Sequence, residues 1–260
     1  MSEKIWHLKN CDLFERLSPD ELATLEQSAL ARKFPRGGLV YLPRDAGDSV
    51  LLLASGRVKI TNVTGEGKQA ILTLIEPGEL FGELAAVDGS ERDEFAEAMQ
   101  ASTVILIPAD QMQRLMQSHP DVSLGVTKLI GLRRRRIERR LKHLLFRSNR
   151  ERLVHLLLEL IEQYGMADPR GVAVGIKLSH QDLASIIGST RESVTVLLGE
   201  LQLARLIKVD RRRIVVLDLE GLAACVEAPV PKLPRPAEHN GKENLNAISG
   251  GPSRLPEGNL

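Results

Sequence analysis

The sequence predicts an α+β protein in three successive parts: an N-terminal roll of short strands, one long helix, and a C-terminal unit of paired helices and short strands. Three observations carry this. Between about residues 36 and 108, short apolar runs alternate with glycine-bearing turns. From Pro120 to about Phe146 the pattern is helical without a break. From residue 178, two capped helical segments precede two apolar runs that flank Asp210-Arg211-Arg212-Arg213. With 43% hydrophobic but only 3% aromatic residues, the cores must be aliphatic.

Residues 12–34 read as a short helical lead-in, with Ser18 as N-cap, Pro19 at the first helical position and acids in the first turn. The runs LVYL, SVLLLAS, RVKITNV, QAILTLI and STVILIP follow, and strands at this spacing predict a β-sandwich or β-roll of jelly-roll type. In the long helix, Ile130, Ile137 and Leu144 recur every seven residues and Leu141 sits four after Ile137. This is a short coiled-coil seam, interrupted by Arg134, and it predicts a homodimer. The run RRRRIERR reads as a solvated flank. Residues 150–165 form another amphipathic helix, and Gly165 to Gly175 read as a loop. The expected domains are 1–119, the helix 120–147, a unit at 148–222 and a tail, 223–260. The tail is rich in Pro, Gly and Asn without periodicity, so it cannot bury enough apolar area to offset chain entropy and is expected to be disordered.

Within LSHQDLASIIGSTRESVTVLLGEL, Ser179 and Asp182 cap a first helix, and Leu183, Ile186 and Ile187 give its buried face. Gly188-Ser189-Thr190 is the turn, and Ser189 with Glu192 has the spacing of a capping box for a second helix. Val194, Leu197, Leu198 and Leu201 face inward, which leaves Arg191, Glu192, Thr195, Val196 and Gly199 on the outer side. This is a helix-turn-helix layout, in which the second helix enters the major groove through its N-terminal residues. Arginine can grip guanine O6 and N7, and a carboxylate can accept from cytosine N4. The base-reading candidates are therefore Arg191, Glu192, Thr195 and Val196. Asp210 to Arg213 form the basic tip of a wing, and Arg211, Arg212 and Arg213, with Ser179, Ser189 and Thr190, are the candidates for phosphate contacts.

Charge supports this division. Residues 1–120 hold 12 Lys and Arg against 18 Asp and Glu, whereas residues 121–226 hold 19 against 12, so the basic half is the one suited to a polyanion. Cys11 and Cys225 alone cannot supply a disulfide framework or a four-cysteine iron–sulfur site. No apolar run reaches 18 residues, so no membrane span is expected, and the start MSEKIWHLKNCDLF is too polar for a signal peptide; the expected location is the cytoplasm. No Ser/His/Asp arrangement, metal-ligand spacing or P-loop is present, so an enzyme is not expected. The alternative to a DNA-binding regulator is a ligand-binding signalling module that acts through protein contacts.

The stretches LSHQDLASIIGSTRESV and PGELFGEL, and the order of β-roll, long helix and winged helix-turn-helix, resemble the cyclic AMP receptor protein/FNR (Crp/Fnr) family of bacterial transcription regulators over roughly residues 11–222. The resemblance implies a cyclic-nucleotide-binding-like sensor, a dimer joined by the long helix, a palindromic promoter site and contact with RNA polymerase. It also implies an effector pocket at Gly82, Glu83, Leu84, Arg92, Asp93, Arg133, Ile137 and Glu138. In cyclic-AMP-binding relatives an Arg-Ser pair holds the phosphate and a Thr-Ser pair meets adenine. Here the serine position is Asp93, followed by Glu94, and the Thr-Ser position falls on Ile137 and Glu138. Cyclic AMP is therefore disfavoured, and Asp93 is expected to pair with Arg92 in a pocket retuned or emptied. Other sensor types in the family would need an axial haem ligand, for which His7 and Cys11 are the candidates, or a 2-oxoglutarate site. Arg133 and Glu138 suit the latter, but Glu94 falls where that type places an arginine. The effector stays unidentified.

Overall fold

The computed structural model describes residues 3–9, 11–211 and 213–234. The chain begins with α1 (Glu3–Lys9), a 3-10 turn (Asp12–Phe14) and α2 (Pro19–Ser28), which opens with a full Ser18/Glu21 capping box. The roll follows: β1 (Leu30–Phe34), β2 (Leu39–Tyr41), β3 (Ser49–Ser55), β4 (Val58–Val63), β5 (Gln69–Ile75), β6 (Leu80–Phe81), α3 (Glu83–Asp88), β7 (Phe95–Ala98) and β8 (Ser102–Pro108). Then come α4 (Ala109–Ser118), the long α5 (Pro120–Phe146), α6 (Asn149–Tyr164), β9 (Gly165–Asp168), β10 (Gly171–Val174), α7 (His180–Ile187), α8 (Arg191–Leu203), β11 (Ile207–Asp210), β12 (Arg213–Val216) and α9 (Leu219–Ala224).

Two antiparallel four-stranded sheets, ordered β1-β8-β3-β6 and β2-β7-β4-β5, face each other to make the roll. Every residue from Val50 to Ala54 is buried, because β3 is central to its sheet and covered on both faces. A third sheet, β11-β12-β10-β9, joins the wing to the helix-turn-helix. Among the described residues no helix is long and apolar enough to cross a membrane.

Three expectations fail in instructive ways. Residues 30–34, read as part of a helical lead-in, form β1 on the edge of β8. The strand's exposed Arg32 and Lys33 guard that edge and conceal any alternation. The stretch from Gly165 to Gly175, read as a loop, is the hairpin β9–β10, paired from Gly165 with Val174 to Asp168 with Gly171. Finally, the expected disordered tail fails at its first residues: Ala223 lies in α9, and it and Val226 are buried against the core of the C-terminal unit. The remainder of the tail from residue 235 lies outside the described residues.

The sensor roll is not separate from the C-terminal unit. Ile71 and Leu74 of β5 share one apolar core with α6, α7 and α8. Around this contact Arg140 of α5 donates to the Leu72 carbonyl at 2.8 Å, Arg57 lies over the Tyr164 ring at 5.5 Å, and Lys59 reaches Asp182 at 4.0 Å.

Candidate functional site

The helix-turn-helix is assembled from local backbone chemistry. Ser179 accepts from the Asp182 N–H while the Asp182 carboxylate accepts from the Ser179 N–H, so α7 starts with both orphan donors satisfied. It ends at Gly188, whose φ of 65° is left-handed and favours glycine. The Ser189 N–H then returns to the Ala184 carbonyl at 3.0 Å, and Arg152 of α6 holds the Ile187 carbonyl at 2.9 Å.

This closure corrects the expected cap of α8. Ser189 is consumed by the end of α7, and among the described residues its enclosed hydroxyl has no hydrogen-bond partner, so it does not cap α8. Thr190 is the cap, accepting from the Ser193 N–H at 3.2 Å. Val194, Leu198 and Leu201 are buried beneath α8 and Leu197 is partly buried, as their spacing requires.

On the outer face, Arg191, Glu192 and Val196 are exposed, and among the described residues the side chains of Arg191 and Glu192 have no hydrogen bond or ion pair. Thr195 is exposed but held: its hydroxyl donates to the Arg191 carbonyl at 2.8 Å and meets His180 Nδ1 at 2.8 Å. His180, the first residue of α7, is not among the site residues that the sequence pattern singles out. The hydroxyl of Ser179 is occupied by its own capping box.

At the wing tip, Arg211 is exposed with a left-handed φ of 55°. Arg213 differs from the expectation of a free phosphate contact, since it pairs with Asp168 of β9 at 2.7 Å. Hydrogen bonds from Arg170 are the main cause holding the Asp168 carboxyl below the usual carboxylate range, with the charge of Arg213 adding to them. Arg212 lies outside the described residues.

The eight candidate effector residues, Gly82, Glu83, Leu84, Arg92, Asp93, Arg133, Ile137 and Glu138, line one cavity of about 450 Å³ between β4, β5, α3, the segment before β7 and α5. The expected Arg92–Asp93 pair does not form. Arg92 is only 4% exposed, donates to the carbonyls of Gly82 and Ser49, and stacks over the Tyr41 ring at 4.7 Å. Asp93 is exposed, and Glu94 accepts from the Tyr41 hydroxyl at 3.4 Å. Burial, then the charge of Glu94, push the Tyr41 phenol well above its ordinary range. Gly82 has a φ of 68°, and a Cβ there would run into the Arg92 guanidinium, so the place Arg92 takes requires glycine at 82. Across the cavity Arg133 grips both oxygens of Glu83, at 2.7 and 2.8 Å, and also donates to the Leu80 carbonyl. Glu138 pairs with Arg134 at 2.8 Å.

Of the candidate seam, Ile137, Leu141 and Leu144 are 49%, 53% and 45% exposed along α5. Ile130 departs from the expectation of a free seam position: it is partly buried against the sensor core of its own chain. Leu144 also leans on the Gly188 turn, where an added Cβ would meet its Cδ2 at 2.8 Å. Among the described residues, no group of three or more His, Cys, Asp or Glu side chains is placed to hold a metal ion.

Comparison with known proteins agrees with this arrangement. Residues 31–119 match the cyclic nucleotide-binding domain, and residues 151–225 match the Crp-like helix-turn-helix domain. The chain is 34% identical over 185 residues to the global nitrogen regulator of a Synechocystis species, covering 70% of this chain and 82% of that protein. It is 26% identical over 216 residues to the CRP-like cAMP-activated global transcriptional regulator of Mycobacterium tuberculosis, covering 83% of this chain and 96% of that protein. A solved Crp/Fnr-family transcriptional regulator from Thermus thermophilus superposes with a TM-score of 0.63 at 29% identity, covering 76% of this chain and 99% of the other. A sensor roll, a long helix and a capped helix-turn-helix in this order, together with these likenesses, show that the chain belongs to the Crp/Fnr family of DNA-binding transcription regulators.

Proposed function

We propose that the protein acts in the cytoplasm as a homodimer joined through Ile137, Leu141 and Leu144. It binds a palindromic promoter site with one α8 in each major groove and contacts RNA polymerase. Its output is binding and not catalysis. The observation that carries this reading is the outer face of α8, where Arg191, Glu192 and Val196 are exposed and, among the described residues, the side chains of Arg191 and Glu192 have no hydrogen bond or ion pair, while Thr195 is tied back. Arg191 and Glu192 would read a G and a C in each half-site. Val196 offers only an apolar contact, to a thymine methyl, so one position of each half-site is relaxed or shifted toward thymine.

The cavity beside α5 is proposed as the effector pocket, and cyclic AMP is not its ligand. The arginine that would meet a phosphate already holds two carbonyls, Asp93 and Glu94 stand beside it, and Ile137 cannot hydrogen-bond a purine. The cysteine content supplies no iron–sulfur cluster.

Selection of sites from a random DNA pool tests the reading. The expected result is a palindrome with G and C fixed by Arg191 and Glu192 and one degenerate or T-rich position. Arg191→Ala should relax a single position at about 1–3 kcal/mol, whereas Arg211→Ala should weaken all sequences alike and lower the salt slope by about 1. Recovery of a fully specified guanine at the position facing Val196 would overturn the assignment.

A further inference from the structure

The effector cavity proposed above differs in charge and polarity from a nucleotide site, and on that reading it can be assigned a ligand class. We propose that it binds an amphiphile with an apolar body and a head that carries no negative charge.

The size fits a small molecule, since ligand pockets commonly span about 300–1,000 Å³ and this one is about 450 Å³. Its wall is built from Ile60, Leu72, Leu84, Ala85, Ile130 and Ile137. These side chains come from β4, β5, α3 and α5, so a ligand body inserted here contacts aliphatic surface from four elements. No aromatic side chain is among the lining residues, which removes the usual platform for stacking a purine.

The cations in the wall are mostly committed. Arg133 is fully engaged by Glu83 and the Leu80 carbonyl, and Arg92 by the Gly82 and Ser49 carbonyls. Arg134 is held by Glu138. That leaves Arg136 as the one lining cation without such a partner among the described residues. Because carbonyls leave a guanidinium's charge in place, Arg92 and Arg136 together stand against four carboxylates, Asp88, Glu91, Asp93 and Glu94, of which none is in an ion pair among the described residues, an excess of two negative charges. Asp88 accepts from the Ser90 N–H at 2.9 Å, and the Ser90 hydrogen bonds hold it ionised, below the ordinary carboxylate range. Glu94 accepts a hydrogen bond from the Tyr41 hydroxyl, a neutral donor. An anionic head at this rim meets an excess of like charge, whereas a neutral or cationic head does not.

Three probes that share one chain and differ in head charge test this: octanoate, 1-octanol and octylammonium at pH 7. Calorimetry on the ligand-stripped full-length dimer should show saturable binding of octanol and octylammonium, each at least about tenfold tighter than octanoate, the factor one pKa-unit-equivalent of charge repulsion provides. Leu72→Trp, which fills the cavity from β5, should abolish binding of both. The double variant Asp93→Asn, Glu94→Gln alters rim side chains outside the core, and should bring octanoate close to octanol. Octanoate binding as tightly as octanol to the native protein would overturn the proposal. So would the absence of saturable binding by any of the three, or unchanged discrimination in the double variant. DNA affinity, measured by fluorescence anisotropy on the same preparations, keeps the two readings apart: loss of DNA binding indicts the helix-turn-helix assignment and leaves the probe ranking intact.

Discussion

At the residue scale, the cavity shows how one arginine can be conspicuous in sequence and yet do different work in space. Arg92 reads as a ligand residue from its spacing to Gly82-Glu83, but its guanidinium braces the turn that carries those two residues. Nothing in the sequence signals Tyr41 or Ser49 as its partners, because they lie 51 and 43 positions away and meet it only through the roll. Glu83 and Arg133 form the more vulnerable contact, with side chains only 5% and 16% exposed. Arg133→Met leaves Glu83 buried without its partner and should cost about 3–5 kcal/mol in chemical denaturation. His143 and His155 supply a pH dependence. They stack at 4.4 Å between α5 and α6, and burial is the main cause that lowers both from the ordinary histidine value; neighbouring Arg147 lowers both further, and Glu159 and Glu151 oppose it. Their neutral forms are favoured in the fold, so the unfolded chain binds more protons once the pH drops below about 6.5. Stability from this pair is therefore complete above about pH 6.5 and is lost as the pH falls toward the folded-state values. The denaturation midpoint should be lower at pH 5.5 than at 7.5, and the difference should shrink in a His143→Phe, His155→Leu variant. An equal pH difference in that variant would remove the pair as its source.

At the element scale, long patterned segments were legible and short edge segments were not. The 27 residues of α5 and the buried face of α8 follow from apolar spacing that repeats over several turns, and the short α7 follows from its cap and its glycine stop. β1 and the β9–β10 hairpin escape such reading, since strands of four or five residues are too short to repeat a period and nearly every side chain of β1 is exposed. The α8 cap was misplaced by one residue for a related reason: Ser189 and Thr190 are both competent caps, and only the backbone return of Ser189 to Ala184 decides between them. The half-exposed aliphatic stripe on α5 gives a direct prediction. Ile137→Asp should place carboxylates against each other across the two-fold axis, shift sedimentation from dimer to monomer and abolish tight binding to a palindrome. A variant that remains dimeric would exclude Ile137 from the interface.

At the scale of the whole molecule, the sensor and the DNA-binding unit meet along β5. Opposite Ile60 and Thr61, Leu72 is an extra residue in the strand, a bulge that puts Thr73 against Ile60 and Ile71 against Thr61. Leu72 and Thr73 face the cavity, while Ile71 and Leu74 lie in the core shared with α7. Arg140 fastens the bulge by its carbonyl and also approaches Glu159 of α6 at 3.6 Å. Arg140→Ala should loosen this junction and reduce the effect of pocket probes on DNA affinity while leaving probe affinity itself within about threefold; calorimetry and anisotropy on the same protein would measure both. The bulge has a further thermodynamic consequence. A single strand serves as the wall of the cavity and packs on α7, so a ligand that shifts β5 would bias the helix-turn-helix as well. Reciprocity then requires that operator DNA change the affinity of the cavity by the same factor by which the cavity's ligand changes the affinity for DNA. A regulator coupled in this way could be assayed from either end: operator DNA would act as an effector of the cavity, and titrating a short duplex oligonucleotide would reveal ligands whose binding to the free protein is too weak to observe.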